Sequence, residues 1–264
     1  MKERRAPDDW QPPGPQPAGG DDAPTADEDL SFLSGNWRIF QKRQGHRWSL
    51  DDLVTAWVAC REAPSAANAL DLGCGLGSVL LLCAWKLPAC RFTGIEAQAD
   101  RAALARRSIR WNGVADRCNV LDGDFRDGVE GTFDLITGTP PYFRPGAGTV
   151  SEKPHAEACR FELRGGVEDY VAAGMPRLAK GGALVLCGTR AAVQKPALRL
   201  HVVPKTGKDV LFTVEVARHD VAYTREERLV VRGEDDQWTV QFRAVRAAMG
   251  LPDRAARTEG LRSP

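Results

Sequence analysis

Short apolar runs alternate with longer segments of helical periodicity between residues 67 and 188. An apolar run of about five residues bounded by glycine or polar residues is typical of a buried strand, whereas apolar residues spaced three or four apart are typical of a helix. The pattern predicts strands at 67–75, 91–96, 118–124, 133–138 and 183–188. It predicts helices between them at 76–87, 98–113 and 167–182.

This order of elements predicts an α/β fold, because strands that alternate with helices are joined by right-handed crossovers and form a parallel sheet. The pattern changes after residue 197. Two strands are predicted within 198–217, joined by a loop that contains Gly207, and a strand at 227–233 precedes an amphipathic helix at 236–250. We expect this end of the chain to complete the same sheet in antiparallel fashion, not to form a separate domain.

The first 29 residues lack any such pattern. They contain six prolines and almost no apolar residues, so they cannot bury enough surface to offset chain entropy. The prediction is a disordered tail at 1–29, one domain at 30–252 and a flexible tail at 253–264. Residues 1–30 hold eight acids and three bases, a charge of −5, which leaves +6 for the rest of a chain whose net charge is +1. A mildly basic domain permits a nucleic-acid partner without requiring one.

The seven cysteines are scattered, and no two form a C-x-x-C pair. This usage is typical of a reducing cytoplasm, with no disulfide framework and no metal site, and with each cysteine acting as a small buried apolar residue. No run approaches the roughly 20 apolar residues of a membrane span. The Pro-rich, charged start is not a secretory signal. We therefore expect a cytoplasmic protein that binds neither membrane nor metal.

Three glycines follow the first predicted strand at alternate positions, in the run Asp71-Leu72-Gly73-Cys74-Gly75-Leu76-Gly77-Ser78. Glycine allows a sharp turn and a close approach of ligand to backbone, and ligands of such sheets bind beyond the carboxyl ends of the strands. The spacing is not that of a dinucleotide site, because Ser78 stands where the third glycine of G-x-G-x-x-G belongs, and no Walker lysine follows. Glu96 ends the next strand, where a carboxylate can accept hydrogen bonds from both hydroxyls of a ribose.

The glycine loop and Glu96 together resemble the S-adenosylmethionine site of class I methyltransferases, whose cofactor has no phosphate. The resemblance implies a Rossmann-like, mainly parallel seven-stranded sheet with an antiparallel C-terminal strand. It also implies an acid after the third strand that accepts from the adenine amino group; Asp124 matches better than Asp122, and Phe125 is able to pack on the ring. The cofactor-binding residues implied so far are Asp71, Gly73, Gly75, Gly77, Glu96, Asp124 and Phe125.

The stretch FDLITGTPPYF, residues 133–143, ends a predicted strand with two prolines and an aromatic ring. It resembles the Asn/Asp/Ser-Pro-Pro-Tyr/Phe motif of methyltransferases that act on exocyclic or amide nitrogens. In that motif, a side-chain oxygen and the first proline carbonyl accept the amino hydrogens and aim the nitrogen lone pair at the methyl group, while the ring stacks on the base. The motif implies catalytic roles for Thr139, Pro140, Pro141 and Tyr142, and substrate contacts for Tyr142 and Phe143. Thr139 departs from the usual Asn, and its hydroxyl is a shorter and weaker acceptor than an amide oxygen.

Over roughly residues 38–251, the order of features resembles the tRNA (valine) adenine-N6 methyltransferases. The segment GHRWSLDDLVTAW looks like the one in which an Asp enters a helix and closes over the cofactor, and Asp51 matches that Asp best. Arg160 lies in a second family-like stretch and is a candidate contact to phosphate or to the cofactor carboxylate. The resemblance implies S-adenosylmethionine as cofactor and tRNA as partner, and it leaves the oligomeric state open. Seven bases are either phosphate contacts or a solvated surface: Lys42, Arg43, Arg47, Arg101, Arg106, Arg107 and Arg110.

Three functions are compatible with these features. The first is methylation of the exocyclic N6 of an adenine in tRNA. The second is protein glutamine-amide N-methylation, which uses the same nitrogen geometry. The third, suggested by Thr139, is a cofactor-binding pseudo-methyltransferase that acts through a partner. Pyrimidine C5 transfer is disfavoured, because the chain has no Pro-Cys dipeptide to supply the nucleophile.

Overall fold

The computed structural model describes residues 10–140, 166–189, 191–221 and 224–253. Within these ranges the helices are α1 Leu50–Glu62, α2 Ser78–Lys86, α3 Ala99–Trp111, α4 Val167–Gly174 and α5 Val240–Ala248. The strands are β1 Glu28–Ser34, β2 Trp37–Lys42, β3 Asn68–Leu72, β4 Arg91–Glu96, β5 Cys118–Asp122, β6 Phe133–Gly138, β7 Leu178–Gly188, β8 Leu198–Lys205, β9 Phe212–Ala217 and β10 Arg225–Arg232.

Strands β3 to β10 form one sheet in the order β10-β8-β9-β7-β6-β3-β4-β5. Strand β9 lies antiparallel between β7 and β8, and the other neighbouring pairs are parallel. This arrangement confirms the Rossmann-like class and the antiparallel strand near the C-terminal end. The sheet has eight strands, not the expected seven, because β10 adds in parallel beside β8.

The boundary between α4 and β7 corrects one prediction. A helix was expected over 167–182, but α4 ends at Gly174, a single 3-10 turn contains Pro176, and residues 178–182 already belong to β7. Proline lacks the N–H that an α-helix needs beyond its first turn, so the helix cannot continue through it. Gly181 and Gly182 therefore lie within strand β7 and do not end a helix.

The predicted disordered tail, residues 1–29, overlaps the first strand by two residues. Strand β1 begins at Glu28 and forms an antiparallel hairpin with β2, which the sequence pattern did not predict. Upstream of it, the Gly19 amide donates to the Trp111 carbonyl at 3.0 Å, and the Arg107 guanidinium donates to the Ala23 carbonyl at 2.9 Å. Backbone groups and charges hold this segment although its apolar content is low. Residues 1–9 lie outside the described residues.

The core has two parts, one on each face of the sheet. Helices α1, α2 and α3 cover one face together with the hairpin, and α4 covers part of the other. Successive residues of β3 alternate between the faces: Ala69 belongs to the first part, and Leu70 and Leu72 belong to the second. Six cysteines are buried, as predicted, and Cys159 lies outside the described residues.

Three glycines surround the indole of Trp85, in an arrangement here named the Trp85 clasp. Gly14 lies in the N-terminal segment, Gly35 in the β1–β2 turn, and Gly250 two residues after the end of α5. Each has a positive φ. A Cβ added to Gly14 or to Gly250 would lie 2.5 Å from the indole Cζ2. Only glycine allows the backbone to approach the ring this closely.

Substituting Gly250→Ala is expected to destabilise the protein by about 2–5 kcal/mol. The left-handed backbone at φ +67 costs about 1–2 kcal/mol for a residue with a Cβ, and the overlap with Trp85 adds a further penalty of about 1–3 kcal/mol. Gly207→Ala is the matched control, because Gly207 has a φ of +78 with no atom within 4 Å of an added Cβ. Urea unfolding should give a clearly larger loss for Gly250→Ala; equal losses would mean that contact with Trp85 contributes nothing.

Candidate active site

Four strand ends meet at one edge of the sheet. In the strand register, Leu72 of β3 pairs with Ile95 of β4 on one side and with Gly138 of β6 on the other. The glycine loop and Thr139 therefore leave adjacent strands at the same level. On the other side, Glu96 pairs with Asp122, so the end of β5 joins the same edge.

The glycine loop turns sharply between β3 and α2. Gly73, Gly75 and Gly77 have φ values of +59, +56 and +77, which explains glycine at alternate positions. The space above the loop is closely lined: a Cβ on Gly73 would lie 2.6 Å from the Tyr170 hydroxyl, and one on Gly75 would lie 3.1 Å from a guanidinium nitrogen of Arg101. Glycine at these two positions therefore lets the Tyr170 and Arg101 side chains approach the loop backbone closely.

Glu96 supports the loop from the end of β4. Its carboxylate is 5% exposed and accepts from the Gly75 amide and from the Gln98 amide, each at 2.8 Å. Each carboxylate oxygen has two lone pairs, so one remains on each oxygen for a hydroxyl donor. Two acceptors side by side suit the two hydroxyls of a ribose, and the residues present therefore fit the nucleoside part of S-adenosylmethionine.

Asp124 and Phe125 follow β5 as expected. The Asp124 carboxylate is held by the Arg126 guanidinium, with Nε at 2.9 Å and Nη2 at 2.5 Å, and it also accepts from the Arg126 amide at 3.0 Å. Phe125 is buried, with its ring centroid 4.5 Å from that of Tyr170. Asp122, the weaker candidate, is paired with Arg106 at 2.7 Å and points to solvent. Arg126 thus orients the carboxylate assigned to the adenine.

At the start of α1, the neighbour of the expected acid contacts the glycine loop. Asp51 is half-buried and accepts from the Ser49 hydroxyl. Asp52 is buried, accepts from the Ser49 amide at 2.8 Å, and accepts from the hydroxyl of Ser78 at 3.0 Å. Burial, and then the charge of Asp51, raises the pKa of Asp52 to about 7. Sequence reasoning chose Asp51 over the adjacent Asp52, because a sequence motif does not give the direction of either side chain.

Asp71 lies behind the loop. It is 3% exposed and accepts from the Thr137 hydroxyl at 2.7 Å. Burial raises the pKa of Asp71 to about 7, with a smaller contribution from the negative charge of Glu96. Asp71 therefore ties β3 to β6 immediately below this edge of the sheet.

The acceptor motif is described only at its start. Thr139 is half-buried and Pro140 is buried, directly after the last residue of β6. Pro141, Tyr142, Phe143 and Arg160 lie outside the described residues, so the expectations for them remain predictions.

Tyr170 of α4 also lies at this edge, and sequence reasoning missed it. Besides its contact with Gly73, a Cβ on Gly138 would lie 2.5 Å from Cδ1 of the Tyr170 ring. The aromatic residue of an amphipathic helix looks like ordinary core in a sequence, and no motif distinguishes it. The Tyr170 side chain contacts both the glycine loop and strand β6, which leads to Thr139.

Five of the seven candidate phosphate contacts form ion pairs with acids. Arg47 pairs with Asp29 at 2.7 Å, and Arg107 pairs with Glu28 at 2.7 Å. The other three of these five bases lie 2.7–3.3 Å from their acids: Lys42 pairs with Asp27 and Glu28, Arg106 with Asp122, and Arg110 with Asp22. Most of these acids belong to residues 22–29, so the acidic segment neutralises the basic surface beside it.

The family model of the methyltransferase small domain matches residues 49–204, more than half of the chain. The chain belongs to the methyltransferase small domain family. The matched range contains the glycine loop, Glu96, Asp124 and Thr139. Membership confirms the resemblance to class I methyltransferases and identifies S-adenosylmethionine as the cofactor.

Two kinds of relative share this part of the chain. A release factor glutamine methyltransferase of Chlorobaculum tepidum is 31% identical over 149 residues, which are 53% of this chain and 49% of the relative. A tRNA1(Val) (adenine(37)-N6)-methyltransferase of Yersinia pestis is 32% identical over 116 residues, 42% of each chain. The chain thus spans about half the length of the relatives it matches.

A crystal structure of a predicted O-methyltransferase from Agrobacterium tumefaciens shares the fold. The TM-score is 0.57 at 17% identity, over 76% of this chain and 98% of the other.

Within the described ranges, no helix has the length and apolar character needed to span a bilayer. In the same ranges, no group of three or more His, Cys, Asp or Glu side chains is arranged to hold a metal ion.

Proposed function

We propose that this protein is an N-methyltransferase that uses S-adenosylmethionine to methylate the exocyclic N6 of an adenine in tRNA. The observation that carries the proposal is the pairing of Leu72 with Gly138, which brings the glycine loop and Thr139 side by side. A methyl donor bound on the loop faces an acceptor bound at Thr139-Pro140 across adjacent strands. Family membership and the adenine-N6 relative support the same reaction.

The residues of the chain act mainly by positioning. Glu96 accepts from the ribose hydroxyls, while Asp124 and Phe125 hold the adenine of the cofactor. The Thr139 hydroxyl and the Pro140 carbonyl accept the hydrogens of the target amine, so that its lone pair points at the methyl carbon. Bound S-adenosylmethionine would supply an electrophilic methyl group to this nitrogen, with its sulfur as the leaving group. The nitrogen then releases a proton to water.

Glutamine-amide methylation is the second candidate. An amide nitrogen is also planar, with its lone pair delocalised, and it needs the same two acceptors. Two observations favour it: the 31% identity to a release factor glutamine methyltransferase, and the ion pairs that occupy five of the bases expected to meet phosphate. A protein acceptor needs fewer free cations than tRNA does.

Transfer of labelled methyl separates the candidates. The protein is incubated with methyl-labelled cofactor and either tRNA from a strain lacking the adenine-N6 enzyme or unmethylated release factor. N6-methyladenosine in the nucleoside digest supports the tRNA function, and label on a glutamine side chain supports the second candidate. Cofactor binding without transfer to either substrate would support a pseudo-methyltransferase and contradict both.

Removing the Thr139 hydroxyl is expected to slow the chemical step. Thr139→Val keeps the shape but deletes one acceptor of the amine hydrogens, so single-turnover transfer should fall by roughly 5- to 150-fold, equivalent to about 1–3 kcal/mol. Cofactor affinity should change little, because the proposed role of this hydroxyl is to contact the methyl-accepting substrate and not the cofactor. Thr139→Asn should raise the rate on adenine by supplying a longer and better oxygen acceptor.

Tyr142→Ala provides the contrast, since loss of stacking should weaken substrate binding by about 1–3 kcal/mol per base and leave the rate at saturation less affected. If Thr139→Val transfers methyl at the parent rate and Thr139→Asn is inactive, the Thr139 hydroxyl does not accept a hydrogen bond from the target amine. The adenine proposal would then be wrong.

A further inference from the structure

Tyr170 bridges the two halves of the proposed site. Its hydroxyl lies against Gly73, the first glycine of the cofactor loop, and its ring lies against Gly138, the residue before Thr139. A Cβ on either glycine would clash with Tyr170, at 2.6 Å for Gly73 and 2.5 Å for Gly138. Because Leu72 pairs with Gly138, these contacts lie on neighbouring strands. The path from donor to acceptor therefore passes the Tyr170 side chain.

The hydroxyl group of Tyr170 belongs to a buried side chain and lies beside the glycine loop. The residue is 5% exposed, and within the described ranges no residue donates to or accepts from its hydroxyl. Buried polar groups in native proteins are generally hydrogen-bonded, to protein, water or ligand. The Phe125 ring, 4.5 Å from the Tyr170 ring between centroids, helps to fix its orientation. A fixed, buried hydroxyl beside a ligand loop is suited to contact the ligand.

The charges around Tyr170 favour a cation. Glu96, Asp71 and Asp124 are the acids that act on it, and Arg101 is the base that opposes them. Burial, followed by the charges of Glu96 and Asp71, raises the pKa of Tyr170, so the phenol stays neutral at physiological pH. A neutral phenol oxygen offers lone pairs to a positive group, and the surrounding carboxylates add to the negative potential.

We propose that Tyr170 determines specificity for the charge state of the cofactor: its oxygen faces the sulfonium and favours S-adenosylmethionine over S-adenosylhomocysteine. This inference rests on the proposed methyl-transfer function. Hydrogens on carbon next to a sulfonium carry partial positive charge and form C–H···O contacts with such an oxygen. After transfer the sulfur is a neutral thioether, so the contact weakens and the product leaves more readily.

The test compares two ligands that differ only in the methyl group and its charge. Calorimetry measures the Kd of S-adenosylmethionine and of S-adenosylhomocysteine for the parent and for Tyr170→Phe. We expect Tyr170→Phe to weaken S-adenosylmethionine by about three- to fivefold and S-adenosylhomocysteine by less than about twofold. The ligand-free variant should melt within a few degrees of the parent, because Phe keeps the ring that packs against Phe125 and Gly138.

Asp122→Asn is the control, since this exposed acid pairs with Arg106 at the same edge of the sheet and should leave both Kd values and their ratio unchanged. Equal weakening of both ligands by Tyr170→Phe, or no change in either, overturns the inference. If the parent binds neither ligand, the proposed function fails first. If the parent binds both and only the ratio fails to move, the proposed function stands and Tyr170 has no part in discrimination.

Discussion

Glu96→Ala is expected to weaken the binding of S-adenosylmethionine by at least about a hundredfold. Each hydrogen bond from a ribose hydroxyl to a carboxylate is worth about 1.5–3 kcal/mol, and the variant loses two of them. It also leaves the Gly75 and Gln98 amides without their acceptor, so the glycine loop loses support. Both losses act on the same ligand, which makes this the largest expected effect on binding.

Two further variants separate charge from shape. Glu96→Gln keeps the length but has one oxygen acceptor, so its affinity should lie between those of the parent and Glu96→Ala. Asp122→Asn is the control, because Asp122 pairs with Glu96 in the strand register but points to solvent in an ion pair with Arg106. Its affinity should stay within about twofold of the parent. An unchanged Kd for Glu96→Ala, measured by calorimetry, would refute the assignment of Glu96.

Asp52→Asn is expected to stabilise the protein at pH 8 by about 1–3 kcal/mol. Burial favours the protonated carboxyl, so the pKa of Asp52 rises from 3.8 to about 7 on folding. Its stabilising contribution is present in full below about pH 4 and is lost as the pH rises towards 7, because the carboxyl of the unfolded chain ionises in this range while the buried one keeps its proton. Asn keeps the shape without the charge; its oxygen accepts from the Ser49 amide, and its NH2 donates to the hydroxyl of Ser78.

Urea unfolding at several pH values tests this expectation. The parent should lose stability between about pH 4 and pH 7, and Asp52→Asn should flatten that slope. Asp71, whose pKa is also raised to about 7, contributes to the same window, so some slope should remain. Asp51→Asn is the control at the half-buried neighbour and should leave most of the slope in place. A parent-like slope in Asp52→Asn would show that this carboxyl does not titrate with folding.

The carboxyl edge of the sheet was the part most readily predicted from the sequence. Alternate glycines after an apolar run require positive φ values, and Gly73, Gly75 and Gly77 have them. Parallel strands end at one edge, so the proximity of Glu96 to the glycine loop followed from the order of elements. What could not be derived was the choice between Asp51 and Asp52. Both precede the same apolar helix face, and only the direction of each side chain decides which one contacts Ser78.

Other differences arise from long-range packing, which composition does not reveal. The hairpin of β1 and β2 begins in an acidic, proline-rich region. Its backbone is nevertheless bonded by Ser108 of α3 and by Asn112, the residue after α3; the Phe40 amide, for example, donates to the hydroxyl of Ser108 at 2.9 Å. Tyr170 has the pattern of a core residue, and its contacts with Gly73 and Gly138 arise only when three distant segments meet. Such contacts have no local signal in a single sequence.

The Trp85 clasp has a consequence for the order of folding. It joins segments that are far apart along the chain: beside it, the Ser34 hydroxyl donates to the Met249 carbonyl across 215 residues. Closing so long a loop costs more entropy than closing a helix or a strand pair nearby, so the clasp should form after the rate-limiting step. Interactions absent from a folding transition state slow unfolding without speeding folding. The Trp85 clasp is therefore expected to lower the unfolding rate, and so to lengthen the lifetime of the folded chain, without changing the folding rate.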